Sequence, residues 1–174
     1  VTPDGSNISD ASFDGSDPDG TDNDNIPDES SLTTVSVLPQ PSIGLAKREV
    51  STVVNPDGSF DVTFEFNLEN FGNVALSDII IADNLNTAAF PAPCDVEVLE
   101  ITSSSFIVDV DYDGDGDDNM LLPGQTLGVG EKGAVLLRIR VNDCNTGNIN
   151  IPGSDFDNIA AAAGTPPGAT TPII

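Results

Sequence analysis

The stretch VSTVVNPDGSFDVTFEFNLENFGN, residues 50–73, sets Asn-Pro-Asp-Gly between two runs of β-forming residues. Pro and Gly stand where a tight turn needs a fixed and a permissive backbone, so a hairpin is predicted around residues 55–58. Beyond the turn Phe60, Val62, Phe64, Phe66 and Leu68 recur at every second position, facing away from Asp61, Thr63, Glu65 and Asn67. Side chains alternate across a strand, so this is a strand with one buried face. At about 33 Å for ten residues or so it is long enough to cross a whole sandwich.

The same alternation extends in both directions. Upstream, Ile43, Leu45 and Lys47 alternate with small or polar neighbours and begin a strand. Downstream, VALSDIIIADNL (74–85) changes phase around Ser77 and Asp78, as a bulged strand does. Further blocks are CDVEVLEIT (94–102), SFIVDV (105–110), GAVLLRIRVNDC (133–144) and DNIAAAAG (157–164), the last read as a strand because of its length and its turn-rich approach. Short strands separated by turn residues predict an all-β, Greek-key sandwich of about seven or eight strands. Residues 1–35, polar and acidic with Gly, Ser and Pro throughout, read as a connector that offers one short strand, SNISDASF, for donation to a neighbour; residues 36–174 read as the sandwich.

Composition narrows the function. The net charge is -24, from 29 acidic against 5 basic residues. That balance opposes nucleic-acid phosphates and anionic membrane surfaces. No apolar run reaches the roughly 18 residues of a membrane-spanning helix, and no leader is recognised, so the chain reads as a mature, exported piece. The chain has no His and no Trp, and one Tyr. The usual general base and the aromatic platforms of sugar chemistry are therefore missing, and no catalytic residue is assigned. The cysteines are Cys94 and Cys144. In an oxidising compartment a disulfide between them stabilises by roughly 4 kcal/mol through the large loop it closes; two separate buried thiols are the alternative.

FEFNLENFGNVALSDIIIADNL (64–85) resembles the signature of a bacterial and archaeal surface repeat, the family catalogued as domain of unknown function eleven: a strand, Asn-x-Gly-Asn, then an apolar strand ending in Asp. PGQTLGVGEKGAVLLRIRV (123–141) is similar to the family's later half, and DNIAAAAG to its closing strand. The resemblance implies an Ig-like β-sandwich repeat of a large cell-surface or secreted protein, with no general catalytic activity. The acidic segment before residue 35 is similar to the connector between consecutive copies, and TPDG (2–5) and TPPG (165–168) then fall at equivalent positions.

Two acidic clusters remain. DPDGTDNDNIPDE (17–29) holds six acidic side chains and no basic one, and DVDYDGDGDD (109–118) repeats the theme. Asp at alternate positions with Gly for the turn offers several hard oxygens, the chemistry that Ca²⁺ requires. Asp109, Asp111, Asp113, Asp115 and Asp117 have that spacing; Gly116 and Met120 stand where an EF-hand needs an apolar residue and Glu, so a loop-type site is expected instead. DNDNIPDE resembles the calcium phrase of thrombospondin type-three repeats, with Asn25 in place of Gly, and this implies Asp17, Asp19, Asp22, Asp24 and Asp28 as ligands. A solvated acidic surface, or adaptation to salty water, is the plainer reading of both clusters. Asn7 opens an Asn-Ile-Ser glycosylation sequon, and TPPGATTP (165–172) suits O-linked sugar or an ordinary linker.

The expected function is structural: a repeat unit of an extracellular fibre, stalk or surface filament, its calcium-stiffened connectors joining it to neighbouring copies of the same repeat. A calcium-dependent adhesin or lectin-like module that binds glycans is the alternative.

Overall fold

The computed structural model describes residues 33, 35, 37–85, 90, 94–142 and 158–174. Contacts within the chain divide it into Val1–Leu38 and Pro39–Ile174. In the first unit the described apolar residues, Val35, Val37 and Leu38, are exposed. All that follows concerns the second.

Among the described residues the protein is all-β, with seven strands: β1 Ile43–Val54, β2 Phe60–Asn70, β3 Leu76–Asp83, β4 Asp95–Ser103, β5 Thr126–Leu127, β6 Lys132–Asn142 and β7 Ala160–Thr165. They form two antiparallel sheets, ordered β1-β2-β6-β4 and β5-β3-β7. No described helix is long and apolar enough to cross a membrane.

The hairpin at residues 55–58 forms as its sequence predicts. The Gly58 N–H donates to the Asn55 carbonyl (3.1 Å) and Gly58 takes φ 92°, a conformation that favours glycine. The Asn55 amide reaches Ser59 and Asp61, both at 3.0 Å. β1 and β2 then pair from Val54↔Phe60 to Ile43↔Asn70, with an irregularity between Glu49 and Ser51. On β2, Val62, Phe66 and Leu68 are buried; on β6 the alternation buries Val135, Leu137, Ile139 and Val141. These side chains join Ile79, Ile81, Leu85, Leu121 and Leu127 in one core cluster fed by both sheets. The outward face is polar: Arg140 forks onto Asp61, its cross-strand partner, at 2.8 and 3.1 Å.

The phase change in β3 is present. Register shifts between Ser77 and Ile80, and Asp78 takes a positive φ of 49°. The Asn-x-Gly-Asn phrase closes β2 by side-chain bonding. Buried Asn70 donates to the carbonyls of Val74 (2.8 Å) and Leu127 (3.0 Å), and its Oδ1 accepts the Gly72 N–H at 2.9 Å. Asn73 Oδ1 accepts the Gln40 N–H at 2.6 Å. A Cβ on Gly72 would lie 2.6 Å from the Gln40 carbonyl oxygen, so the backbones meet too closely for any other residue.

Two expectations change. SFIVDV forms no strand. Ser103 Oγ accepts the N–H groups of Ser105 and Phe106, Gln125 accepts that of Ile107, and only an isolated bridge, Val108↔Leu121, remains. The side chains divert the backbone donors that a ladder needs. Conversely, the short β5 follows the Pro-Gly turn at Pro123-Gly124, where the sequence carries too few alternating residues to announce a strand.

Candidate functional site

Asp109, Asp111, Asp113, Asp115 and Asp117 lie in the loop that crosses one end of β3. The loop is held by its own backbone donors. Asp113 Oδ1 accepts the N–H groups of Asp115 and Gly116, both at 2.9 Å, and of Asp117 at 3.0 Å. Asp109 Oδ1 accepts from Asp111 (2.9 Å) and Asp117 Oδ1 from Asn119 (3.1 Å). The backbone N–H of Asp115, followed by those of Asp117 and Gly116, holds the Asp113 carboxyl below the usual carboxylate range. Converging amide dipoles thus set an opposite sign against the like charges packed into the turn.

This arrangement bears on the calcium reading. The donor chemistry is that of a hard cation, yet among the described residues no three His, Cys, Asp or Glu side chains converge to hold a metal ion. Backbone bonds engage one oxygen, Oδ1, of each of Asp109, Asp113 and Asp117. Asp17, Asp19, Asp22, Asp24 and Asp28 of the first cluster, and Asn7, lie outside the described residues. So does Cys144. Cys94 packs against the core just before β4, and no free cysteine occurs among the described residues.

The acidic loop has a second consequence, inside the protein. It delivers Tyr112 into the core, where the phenol donates to the Asp83 carbonyl at 2.9 Å. Burial, with the acids around it, pushes the Tyr112 hydroxyl well above its ordinary value. The Asp83 N–H in turn donates to the Asp118 carbonyl at 2.9 Å. Both backbone groups of Asp83 are thus fixed by this loop.

Asp83 is the centre of a buried polar cluster. Its side chain is fully buried. Lys47, its side chain 12% exposed, places Nζ 2.6 Å from Asp83 Oδ2. Asn158 Nδ2 donates to the same oxygen at 3.1 Å. The Lys47 nitrogen also lies over two rings, 4.4 Å from the centre of Phe64 and 5.0 Å from that of Phe66. Two atoms in this group are buried without any hydrogen-bond partner: Asp83 Oδ1 and Asn158 Oδ1.

Strand periodicity puts the three side chains together. Lys47 continues the inward set Ile43 and Leu45 of β1, and Asp83 continues Ile79 and Ile81 of β3. Asp83 pairs with Ala160 of β7, and Asn158, two residues before Ala160, falls on the same face while Ile159 points to solvent. Burial is the largest influence on both charged groups: it pushes the Asp83 carboxyl up and pulls the Lys47 ammonium down, against the attraction between them. Such a pair is expensive to desolvate, and two orphaned oxygens beside it raise the cost.

The sequence reading assigned no role to these residues. The signals were nonetheless present, as a lysine in the buried phase of β1, an aspartate ending the apolar run IIIAD, and an asparagine opening the closing strand. What was missing was their meeting point. The chain matches no family model, no curated protein and no solved structure.

Proposed function

We propose that this protein is a load-bearing β-sandwich module of an extracellular fibre, stalk or surface filament, joined end to end with further copies of itself. The observation that carries the reading is the Lys47–Asp83–Asn158 cluster. It ties β1 of one sheet to β3 and the approach to β7 in the other, so the first and last of the described strands are held at one buried point. Force applied through the two ends of a module enters through those strands. A compact binding domain has no need of such a costly tie, whereas a stretched one does.

In this reading the module is Ig-like and relates to the surface-repeat family named above, and a Cys94–Cys144 disulfide adds a second tie at β4. Calcium is the cation suited to the acidic connector, through Asp17, Asp19, Asp22, Asp24 and Asp28. At Asp109, Asp111, Asp113, Asp115 and Asp117 it binds by turning carboxylates toward one point. The surface charge keeps arrays soluble and apart. Electron microscopy of the native material, with and without a chelator, tests the proposal. Long particles with a regular repeat that soften or separate on chelation support it; compact monomers indifferent to the chelator overturn it.

A further inference from the structure

We propose that Lys47 and Asn158 become joined by an intramolecular isopeptide bond, formed autocatalytically with Asp83 as the catalytic residue. The cluster holds the three groups this reaction uses. Lys47 supplies a primary amine, Asn158 a carboxamide, and one oxygen of Asp83 is within hydrogen-bond distance of both nitrogens, at 2.6 and 3.1 Å. The bond that forms is Lys47 Nζ to Asn158 Cγ; the bond that breaks is Asn158 Cγ to Nδ2. The nitrogen leaves as ammonia, and nothing is oxidised or reduced.

The surroundings prepare each step. A neutral amine is the nucleophile, and the site favours it. Burial works against both charges of the Lys47–Asp83 pair, lowering the ammonium and raising the carboxyl, which is the direction in which a proton passes along their 2.6 Å contact to give amine and carboxylic acid. The rings of Phe64 and Phe66 cover Nζ and keep water from it, though their faces also attract the ammonium form. Protonated Asp83 then polarises the Asn158 carbonyl. The amide oxygen and the second carboxyl oxygen, the two buried atoms without partners, are the acceptor and the carboxyl oxygen that this contact uses. As Nζ bonds to Cγ, Asp83 takes the proton released by the amine and delivers one to the departing Nδ2. It ends as it began. The Tyr112 hydroxyl and the Asp118 carbonyl fix the Asp83 backbone and so hold its side chain between the two reactants.

The product also relieves the cluster. A buried charge pair becomes an amide, a neutral acid and an expelled molecule of ammonia, and β1 is covalently closed onto the approach to β7. The reaction happens once per chain and needs no substrate, metal or partner. The inference rests on the cluster alone and holds whether or not the module forms fibres.

Mass spectrometry of the denatured, reduced protein tests it. The expected result is a mass lower than the sequence mass by one ammonia, with digestion yielding a branched peptide that joins Lys47 to Asn158. Asp83→Ala and Lys47→Arg are each expected to show the full mass. Full sequence mass for the folded natural chain overturns the proposal. So does loss of ammonia that maps to a cyclised asparagine with Lys47 unmodified, or a branched peptide that persists undiminished in Asp83→Ala. Because the natural chain is itself the decisive sample, a variant that fails to fold leaves the test intact.

Discussion

Lys47 Nζ and Asp83 Oδ2 lie 2.6 Å apart across the interior, one on the edge strand of the four-stranded sheet and the other at the end of the central strand of the three-stranded sheet. Their closeness makes the two sheets depend on one another at a single point. Asp83→Ala leaves the Lys47 nitrogen buried without its carboxyl partner, and a destabilisation of about 3–5 kcal/mol is expected from breaking the buried pair alone. Lys47→Met combined with Asp83→Leu removes both charges and is expected to recover most of that loss, but none of the stability owed to a covalent tie. Urea denaturation of the three proteins separates the two contributions; equal midpoints for Asp83→Ala and the natural chain would show that the pair does nothing.

Asn70 is the hinge of the Asn-x-Gly-Asn phrase. Asn70→Ala takes the side-chain donor from the Val74 and Leu127 carbonyls, at about 1–3 kcal/mol for each group left unpaired inside the protein, while the Gly72 N–H keeps the Ser42 carbonyl at 3.2 Å. Asn70→Asp keeps the acceptor but loses both donated bonds, so it is expected to fall between alanine and the natural residue only if the Gly72 contact matters. Thermal melting of the pair reads this directly.

The acidic loop allows its fold and its metal affinity to be separated. Asp113→Asn retains an oxygen for the N–H groups of Asp115, Gly116 and Asp117 while removing the charge, so the loop should keep its amide-exchange protection and lose calcium affinity. Asp113→Ala should lose both. Hydrogen exchange at residues 115–117, beside calorimetric titration with calcium, distinguishes them. Unchanged calorimetry in both variants would remove Asp113 from any metal site.

Acid should destabilise the protein. Asp61 is held low chiefly by the Arg140 hydrogen bond, Glu65 by Asn67 and then Arg48, Asp57 by Ser59, and Asp113 by backbone N–H groups. A carboxyl whose folded pKa lies below its unfolded value stabilises above the unfolded pKa, near 4, and loses that contribution as pH falls through the folded one. Asp83, raised by burial, works in the opposite direction, so the net slope belongs to the other four. Melting temperature should fall as pH drops below about 4, and Asp61→Asn should flatten that fall.

Much of this protein is written in local pattern. The period-two alternation of Phe60 to Leu68, the Asn-Pro-Asp-Gly turn and the phase change at Ser77-Asp78 each specify an element through backbone geometry that neighbouring residues alone determine. SFIVDV fails that logic because Ser103 and Gln125, from outside the segment, take its donors. The acidic spacing was legible as chemistry, but whether carboxylates converge depends on where the backbone sends them, and here it turns Asp113 onto its own amides.

The buried cluster belongs to the tertiary structure entirely. Lys47, Asp83 and Asn158 are separated by 36 and 75 residues along the chain, and each taken singly is an ordinary inward-facing exception on a strand. Periodicity tells which face a side chain occupies; it carries no information about which strand of the opposite sheet lies across from it. Only the folded packing of β1 against β7 brings an amine, an acid and an amide to one dry point, where the same groups that are inert and hydrated in the unfolded chain become reactants.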